Sequence, residues 1–311
     1  MKAHSESPHM RKFKKILVGL DLSPLDEVLI NKTANLARFF EAEQVYFIHV
    51  AKDLALPEEV SKNYPDLLAP VDEVIEKSIT DQIQAADFPS NVAYEVDAKE
   101  GGTMDKILRW SKVKDVDLII MGRKHDLEGS GTLAKRIALR SSCSVLFLPE
   151  DMKAESFKRL FVPVDFSSYS KLSLDYALEI SEQPEDITCY HLYEVPQGYT
   201  KTGKSYEEFA EIMRSNAHKD YQQFIQKNKF PEFPCELGLR GKGNRAEFLL
   251  EAAKKDGADL IMIGSRGRTD SAALLIGSVA EKLIDINNEI PMLVLKKKGE
   301  NMRFLDALFR V

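Results

Sequence analysis

At 311 residues the chain exceeds the usual single domain of roughly 100–200 residues, so two domains of comparable size are expected. A composition of 44% hydrophobic and 30% charged residues is that of an ordinary folded protein, and a net charge of −6 provides no basic field for DNA or RNA. Cys143, Cys189 and Cys235 lie far apart without a C-x-x-C spacing, which suggests neither a disulfide framework nor a zinc knuckle and fits a reducing cytoplasm.

The first twelve residues contain no apolar core of about 7–15 residues, and nowhere do about 18 apolar residues run together. Neither a signal peptide nor a membrane span is therefore expected, and residues 1–12 read as a tail. From there short apolar runs alternate with stretches of helical period. "KILVGLD", "QVYFIHV", "NVAYEVD", "VDLIIMG" and "SVLFLP" read as strands, and "LDEVLINKTANLARFF", "PVDEVIEKSITDQIQAAD", "TMDKILRWSKVKD" and "LAKRIALRSS" as helices between them.

The pattern then repeats. "FKKILVGLDLSP" returns as "FKRLFVPVDFSS", placing Asp21 and Asp165 144 residues apart, and "VDLIIMGRK" returns as "ADLIMIGSRG", placing Gly122 and Gly264 142 apart. "YFIHV" and "CYHLYEV" match at His49 and His191, and "CSVLFLPE" matches "IPMLVLKK". The chain reads as one unit used twice, over 13–150 and 156–298, with a polar linker at "PEDMKAES" and a C-terminal stretch over 299–311. Strands separated by helices argue for right-handed crossovers and a largely parallel sheet covered on both faces, which is why the central runs are almost wholly apolar. Each copy is therefore expected to be an α/β, five-stranded, doubly wound domain of Rossmann-like type. Ligands of such sheets bind outside the carboxyl ends of the strands.

In the second copy those ends carry Asp165, Gly241 to Arg245, and Gly264 to Arg268, followed by the helix start Gly277, Ser278 and Val279. A strand-end carboxylate suits an amine or ribose hydroxyl, glycines let backbone amides approach an anion, and a helix N-terminus favours phosphate by about 0.3–1 kcal/mol per charge. Arg266 and Arg268 could add charge-assisted contacts, and Ser278 is expected at the N-cap. Taken singly, each glycine reads equally as a turn residue and the Asp as an Asx-turn or cap.

The spacing is more specific. Gly264, Gly267 and Gly277-Ser278 follow G-x2-G-x9-G-[S/T], and with Asp165, the second-strand histidine and "ADLIMIGSRG" the chain resembles the ATP-binding universal stress proteins over residues 13–298 in both copies. The resemblance implies an adenine nucleotide alpha hydrolase-like fold and ATP as ligand, with or without Mg. It implies further that Asp165 contacts adenine or its ribose, that Gly264 and Gly267 clasp phosphates through their amides, and that Gly277 and Ser278 hold the triphosphate tail. Family members pair through their last strands, so the two copies should form a pseudo-dimer within the chain, and a homodimer is open. There is no G-x-x-x-x-G-K-[S/T], so an efficient P-loop NTPase is not expected.

The first copy departs from this pattern. Gly122 to Gly131 leaves eight residues where Gly264 to Gly277 leaves twelve, and His125 stands in place of the second glycine. A degenerate site is expected, keeping Asp21, Gly122, the Gly131-Thr132 pair, and Arg123 and Lys124 for a smaller anion. Upstream, Gly101-Gly102-Thr103 suggests a close turn with Thr103 as N-cap, while in the second copy Asn244 suggests a cap and Arg245 either a phosphate contact or a solvated side chain.

His191 with Cys189 and Glu194 lacks a second ligand pair for a metal, and Trp110 reads as helix packing. The excursions after both second strands could cover the pocket or touch a partner, and Met302, Leu305, Leu308 and Phe309 form an apolar face suited to packing or dimer contact rather than to a membrane. The functional expectation is a cytoplasmic ATP-binding stress regulator with an unidentified protein partner. A slow ATP hydrolase, with Asp270 the one evident base in the loop, and a nucleotide-free scaffold are the alternatives.

Overall fold

The computed structural model describes residues 13–54, 71–123, 130–152, 157–231, 233–268 and 276–299, the side chains of 130–132 excepted. The chain forms two compact units, Met1–Ile120 and Met121–Val311. Its α/β character agrees with the alternation of apolar runs and amphipathic stretches.

The first unit runs β1 (Lys15–Leu20), α1 (Leu25–Phe39), β2 (Gln44–Ala51), α2 (Val71–Ala85), β3 (Ala93–Glu100) and α3 (Thr103–Val113), and β4 (Leu118–Arg123) crosses the unit boundary. β2 is parallel to β1, from Lys15↔Gln44 to Leu20↔His49, and to β3, from Gln44↔Ala93 to Ala51↔Glu100. Apolar runs in β1 and β2 place Ile16, Leu17, Val18, Phe47 and Ile48 out of water altogether, each burial worth roughly 1.5–3 kcal/mol. α1 closes over them with Leu29, Ile30, Ala34 and Ala37, a stripe at helical spacing. Trp110 packs edge-on to Tyr46 at 6.0 Å, with the Lys114 ammonium 5.1 Å from its ring, so it is a packing residue of α3.

The second unit contains α4 (Ser130–Arg140), β5 (Ser144–Pro149), β6 (Leu160–Pro163), α5 (Ser168–Ile180), β7 (Ile187–Tyr193), α6 (Tyr206–Asn228), β8 (Cys235–Leu239), α7 (Arg245–Asp256), β9 (Leu260–Gly264), α8 (Ser278–Ile286) and β10 (Met292–Leu295). Its strands stand in the order β5-β10-β9-β6-β7-β8. All neighbours are parallel except β5 and β10, which run antiparallel with Leu293↔Leu146 at the centre, so the sheet is mixed. This is the last-strand pairing expected of the two copies. It also explains why the unit boundary precedes the repeat boundary: β5 and α4 close the first repeat but pack with the second. Lys135 of α4 meets Glu281 at 3.1 Å and Asp285 at 2.9 Å, and the buried Lys296 donates to the Ser141 carbonyl at 2.9 Å.

The excursion after β7 is a 3-10 turn at Tyr199–Thr202 leading into the 23-residue α6, which opens on a capping box of Ser205 and Glu208. Asn244 caps α7 by accepting from the Ala246 amide at 2.9 Å. Two caps fall one residue earlier than expected. Gly102 and Gly277 occupy the extended N-cap positions, making Thr103 and Ser278 the first helical residues, without side-chain caps. Most of the excursion after β2 and the stretch from 300 onward lie outside the described residues.

Candidate functional site

β6 is flanked by β7 on one side and β9 on the other, so successive crossovers leave it in opposite directions and a crevice opens at its carboxyl end. Asp165 sits there. Its amide donates to Ser170 Oγ at 2.9 Å, while its Oδ1 accepts from the Ser167 amide at 3.0 Å and from the Ser170 hydroxyl at 2.7 Å. Oδ2 accepts from the Arg268 amide at 2.6 Å. Burial alone would push this carboxyl up, but the hydrogen bonds from Ser167, Ser170 and the Arg268 amide outweigh it and hold Asp165 below the ordinary 3.8. The side chain is therefore an anionic acceptor that ties the end of β6 to the loop after β9.

Phe166 follows in the left-handed region at φ 64, which turns its ring onto His191 at 4.4 Å and toward Phe224 of α6 at 5.5 Å. His191 donates from Nδ1 to the Val164 carbonyl at 2.8 Å, and burial holds its pKa below 6.5. Among the described residues no group of three or more His, Cys, Asp or Glu could hold a metal ion.

β9 ends at Gly264, where a glycine is demanded by packing: a Cβ there would stand 2.6 Å from the Tyr169 Cβ and 3.2 Å from the Tyr169 carbonyl. The buried Ser265 donates its amide to Leu295 at 2.8 Å and accepts the Gly277 amide on its carbonyl at 2.7 Å. That bond closes the base of the loop and brings Arg266, Gly267 and Arg268 to the same rim as the start of α8. Arg268 and Ser278 are exposed and Arg266, Gly267 and Val279 half-buried. An α-helix leaves its first-turn amides without intrahelical acceptors and carries about +0.5 of a charge at that end. The rim thus combines an anionic hydrogen-bond acceptor at Asp165 with hydrogen-bond donors suited to an anion at the start of α8 and on Arg266 and Arg268 of the loop.

Gly241 stands apart from this closure, exposed after β8, and a Cβ there would make ordinary contact with Phe248 at 3.5 Å. Arg245 pairs with Glu194 at 3.3 Å, and Arg240 holds the other oxygen of that carboxylate at 2.5 Å.

The first-repeat candidates are engaged differently. At the end of β1 the amides of Asp21 and Leu22 donate to Asp26 at 3.1 and 2.7 Å, and Asp21 Oδ1 accepts from Ser23 at 3.2 Å. Asp26 is buried, and burial pushes its carboxyl above 3.8 against the two amide bonds. Gly122 lies within β4. Arg123, expected to meet an anion, is buried instead, its guanidinium donating to the Ile284 carbonyl in the last turn of α8 and to Asn288 Oδ1 at 2.8 Å. A cation suits that helix end for the same dipolar reason that an anion suits the other. Gly131 and Thr132 fall inside α4 rather than before it, and their side chains lie outside the described residues, as do Lys124, His125 and Asp270.

Sequence reasoning did not identify Ser170 and Asp26 as partners of the strand-end acids, although both stand five residues on and the repeat alignment exposes the exchange. Arg123 gave no such signal, since its acceptors lie more than 160 residues away.

A model of the universal stress protein family matches residues 12–149 and 156–296. The universal stress protein MJ0577 of Methanocaldococcus jannaschii is 26% identical over 163 residues, 46% of this chain and 97% of that protein. The universal stress protein YxiE of Bacillus subtilis is 27% identical over 150 residues, 45% of this chain and 99% of its own. A solved universal stress protein of Archaeoglobus fulgidus has a TM-score of 0.58 at 17% identity, covering 92% of this chain and 99% of that one. A protein of Pseudomonas aeruginosa reaches 0.65 at 14%, covering 96% and 98%. At such identities the solved structures speak for the fold.

Proposed function

This chain belongs to the universal stress protein family, and from that membership we propose that it is an ATP-binding regulator whose second repeat holds the nucleotide. The observation that carries the reading is the double closure of the loop, Arg268 amide to Asp165 and Gly277 amide to Ser265, which gathers an anionic acceptor and a helix N-terminus at one rim. The residues fit the ligand at both ends. An ionised carboxylate has about four acceptor sites, so Asp165 retains capacity for an adenine amine or ribose hydroxyl while anchoring the loop. The first-turn amides of α8, the Ser278 hydroxyl and the guanidinium groups of Arg266 and Arg268 suit phosphates, with or without Mg.

The first repeat serves the fold in this reading. It turns Arg123 inward and commits the Asp21 and Leu22 amides to Asp26, which takes a guanidinium and two backbone donors away from any phosphate at that strand end. Fusion makes the pairing of the two copies intramolecular, which frees one site to diverge. ATP bound at this rim would change the surface it presents, and with it the affinity for a regulatory protein partner.

Mass spectrometry of small molecules retained by the purified chain, followed by calorimetric titration with ATP, ADP and GTP with and without Mg, tests the proposal. One adenine nucleotide per chain is expected, with affinity falling at least tenfold in Asp165→Ala and Gly277→Ala. No retained nucleotide and no heat at millimolar ATP, where binding is worth about −4 kcal/mol, would sink it. Single-turnover hydrolysis lost in both variants would make the protein a slow ATP hydrolase instead.

A further inference from the structure

Away from the loop, β7 and β8 place two cysteines side by side. Cys189 and Cys235 are register partners, and their sulfurs stand 3.2 Å apart, the Cys189 thiol donating to Cys235 Sγ. Paired strands hold their Cα atoms about 4.8 Å apart, inside the window of roughly 4.4–6.8 Å that a disulfide spans. The pair is asymmetric. Cys189 is fully buried whereas Cys235 is partly exposed on β8, the last strand of the sheet order, paired with β7 alone among the described residues. An edge strand hydrogen-bonded on one side can shift by the ångström that bond formation requires without disturbing a second neighbour.

We propose that Cys189 and Cys235 form a peroxide-responsive dithiol site that closes to a reversible cross-strand disulfide. Cys235, the accessible member, attacks hydrogen peroxide as its thiolate: an S–O bond forms, the O–O bond breaks, and with the thiol proton one water leaves. The resulting sulfenic acid lies against the Cys189 thiol, whose sulfur attacks it, forming the S–S bond and releasing a second water. Two thiols are oxidised and one peroxide is reduced to two waters. Burial holds the Cys189 thiol well above its ordinary pKa, so oxidant meets the accessible Cys235 first, and the 3.2 Å approach of the two sulfurs is what brings Cys189 to the sulfenic acid. The third cysteine, Cys143, is buried immediately before β5 and serves as an internal control.

The test is made on the full-length chain without added nucleotide, so its outcome is independent of the ATP-binding proposal. Reduced, desalted protein is treated with a small molar excess of hydrogen peroxide, alkylated under denaturing conditions and mapped by non-reducing peptide mass spectrometry. The expected result is a Cys189–Cys235 linked peptide, lighter by two hydrogen atoms than the reduced pair, with Cys143 alkylated and the link lost on dithiothreitol. Cys189→Ser should leave a dimedone-reactive sulfenic acid at Cys235, Cys235→Ser should leave Cys189 reduced, and Cys143→Ser should form the same link. If a serine variant fails to fold, the peptide map of the unaltered chain decides alone. Cys189 recovered alkylated while Cys235 is reduced or over-oxidised, or linkage through Cys143 or between chains, overturns the proposal.

Discussion

The ends of β1 and β6 are built to one plan and shift their acids in opposite directions. In each, an aspartate closes the strand, a bulky residue follows in the left-handed region, Leu22 at φ 60 and Phe166 at φ 64, and a histidine of the next strand bonds the carbonyl just before the aspartate. Five residues on, the plan divides. Ser170 offers Asp165 a hydroxyl and leaves it ionised, with an oxygen for the Arg268 amide, whereas Asp26 brings a second carboxyl that burial drives toward the neutral form. A duplicated backbone device can thus survive intact while the residue five positions on decides which group the strand-end aspartate is bonded to.

The sharpest way to break the second site is through Gly264. Alanine there forces its Cβ against Tyr169 at 2.6 Å, and overpacking of this kind typically costs about 1–3 kcal/mol. Gly264→Ala should lower the urea midpoint by a corresponding amount and abolish nucleotide binding. Gly241→Ala, whose Cβ meets Phe248 at an ordinary 3.5 Å, should change stability by less than about 0.5 kcal/mol. Equal effects in the two variants would show that the close approach of α5 and β9 is not what fixes the loop.

Arg123 tests the inward turn of the first repeat. Arg123→Ala strands the Ile284 carbonyl and Asn288 Oδ1, a loss of about 1–3 kcal/mol for buried polar groups left unsatisfied. If α8 carries phosphate at its other end, ATP affinity should fall as well, with Arg123→Lys restoring part of both. Unchanged unfolding would mean that the guanidinium contributes nothing to holding α8.

The two acids should titrate in opposite directions. Asp165, held below 3.8 in the folded chain, contributes stability that is present above that value and lost as pH falls through its folded pKa. Asp26 is raised by burial, with Asp21 repelling it and His49 opposing the rise, so its contribution is present below 3.8 and lost as pH climbs toward its folded pKa. Carbon-13 titration of the two carboxyls should give midpoints on either side of 3.8. Asp26→Asn should remove the loss of stability on raising pH above about 4, and Asp165→Asn the loss on lowering it below about 4. Midpoints on the same side would erase the contrast between the repeats.

Much of this was legible in the sequence because it depends on local period and on order along the chain. The strands and helices followed from apolar spacing, the repeat from offsets of 144 and 142, and the strand-end positions of Asp165 and Gly264 from the alternation itself. What escaped depends on distance in the chain or on fine geometry. The meeting of Cys189 and Cys235 requires the β7–β8 register, the Arg123 contact joins helix and strand ends from different repeats, and the steric need for Gly264 appears only once α5 is laid against β9. The shifted caps at Gly102 and Gly277 have a simpler cause, since a glycine accepts the extended N-cap conformation one residue before the hydroxyl that sequence preference selects.

The smallest effect is expected at Arg245, and it sharpens the boundary of the second site. Arg245 and Glu194 are each about half exposed, at 53% and 48%, and pairs in such surroundings contribute between nothing and about 1 kcal/mol. Arg240 already holds the same carboxylate, so removal of Arg245 leaves no orphaned charge. Arg245→Ala should therefore leave both the unfolding midpoint and the ATP dissociation constant within about twofold of the unaltered chain. A tenfold weakening of ATP binding would show that Glu194 releases Arg245 to the ligand, and would extend the phosphate rim from β9 and α8 to the start of α7.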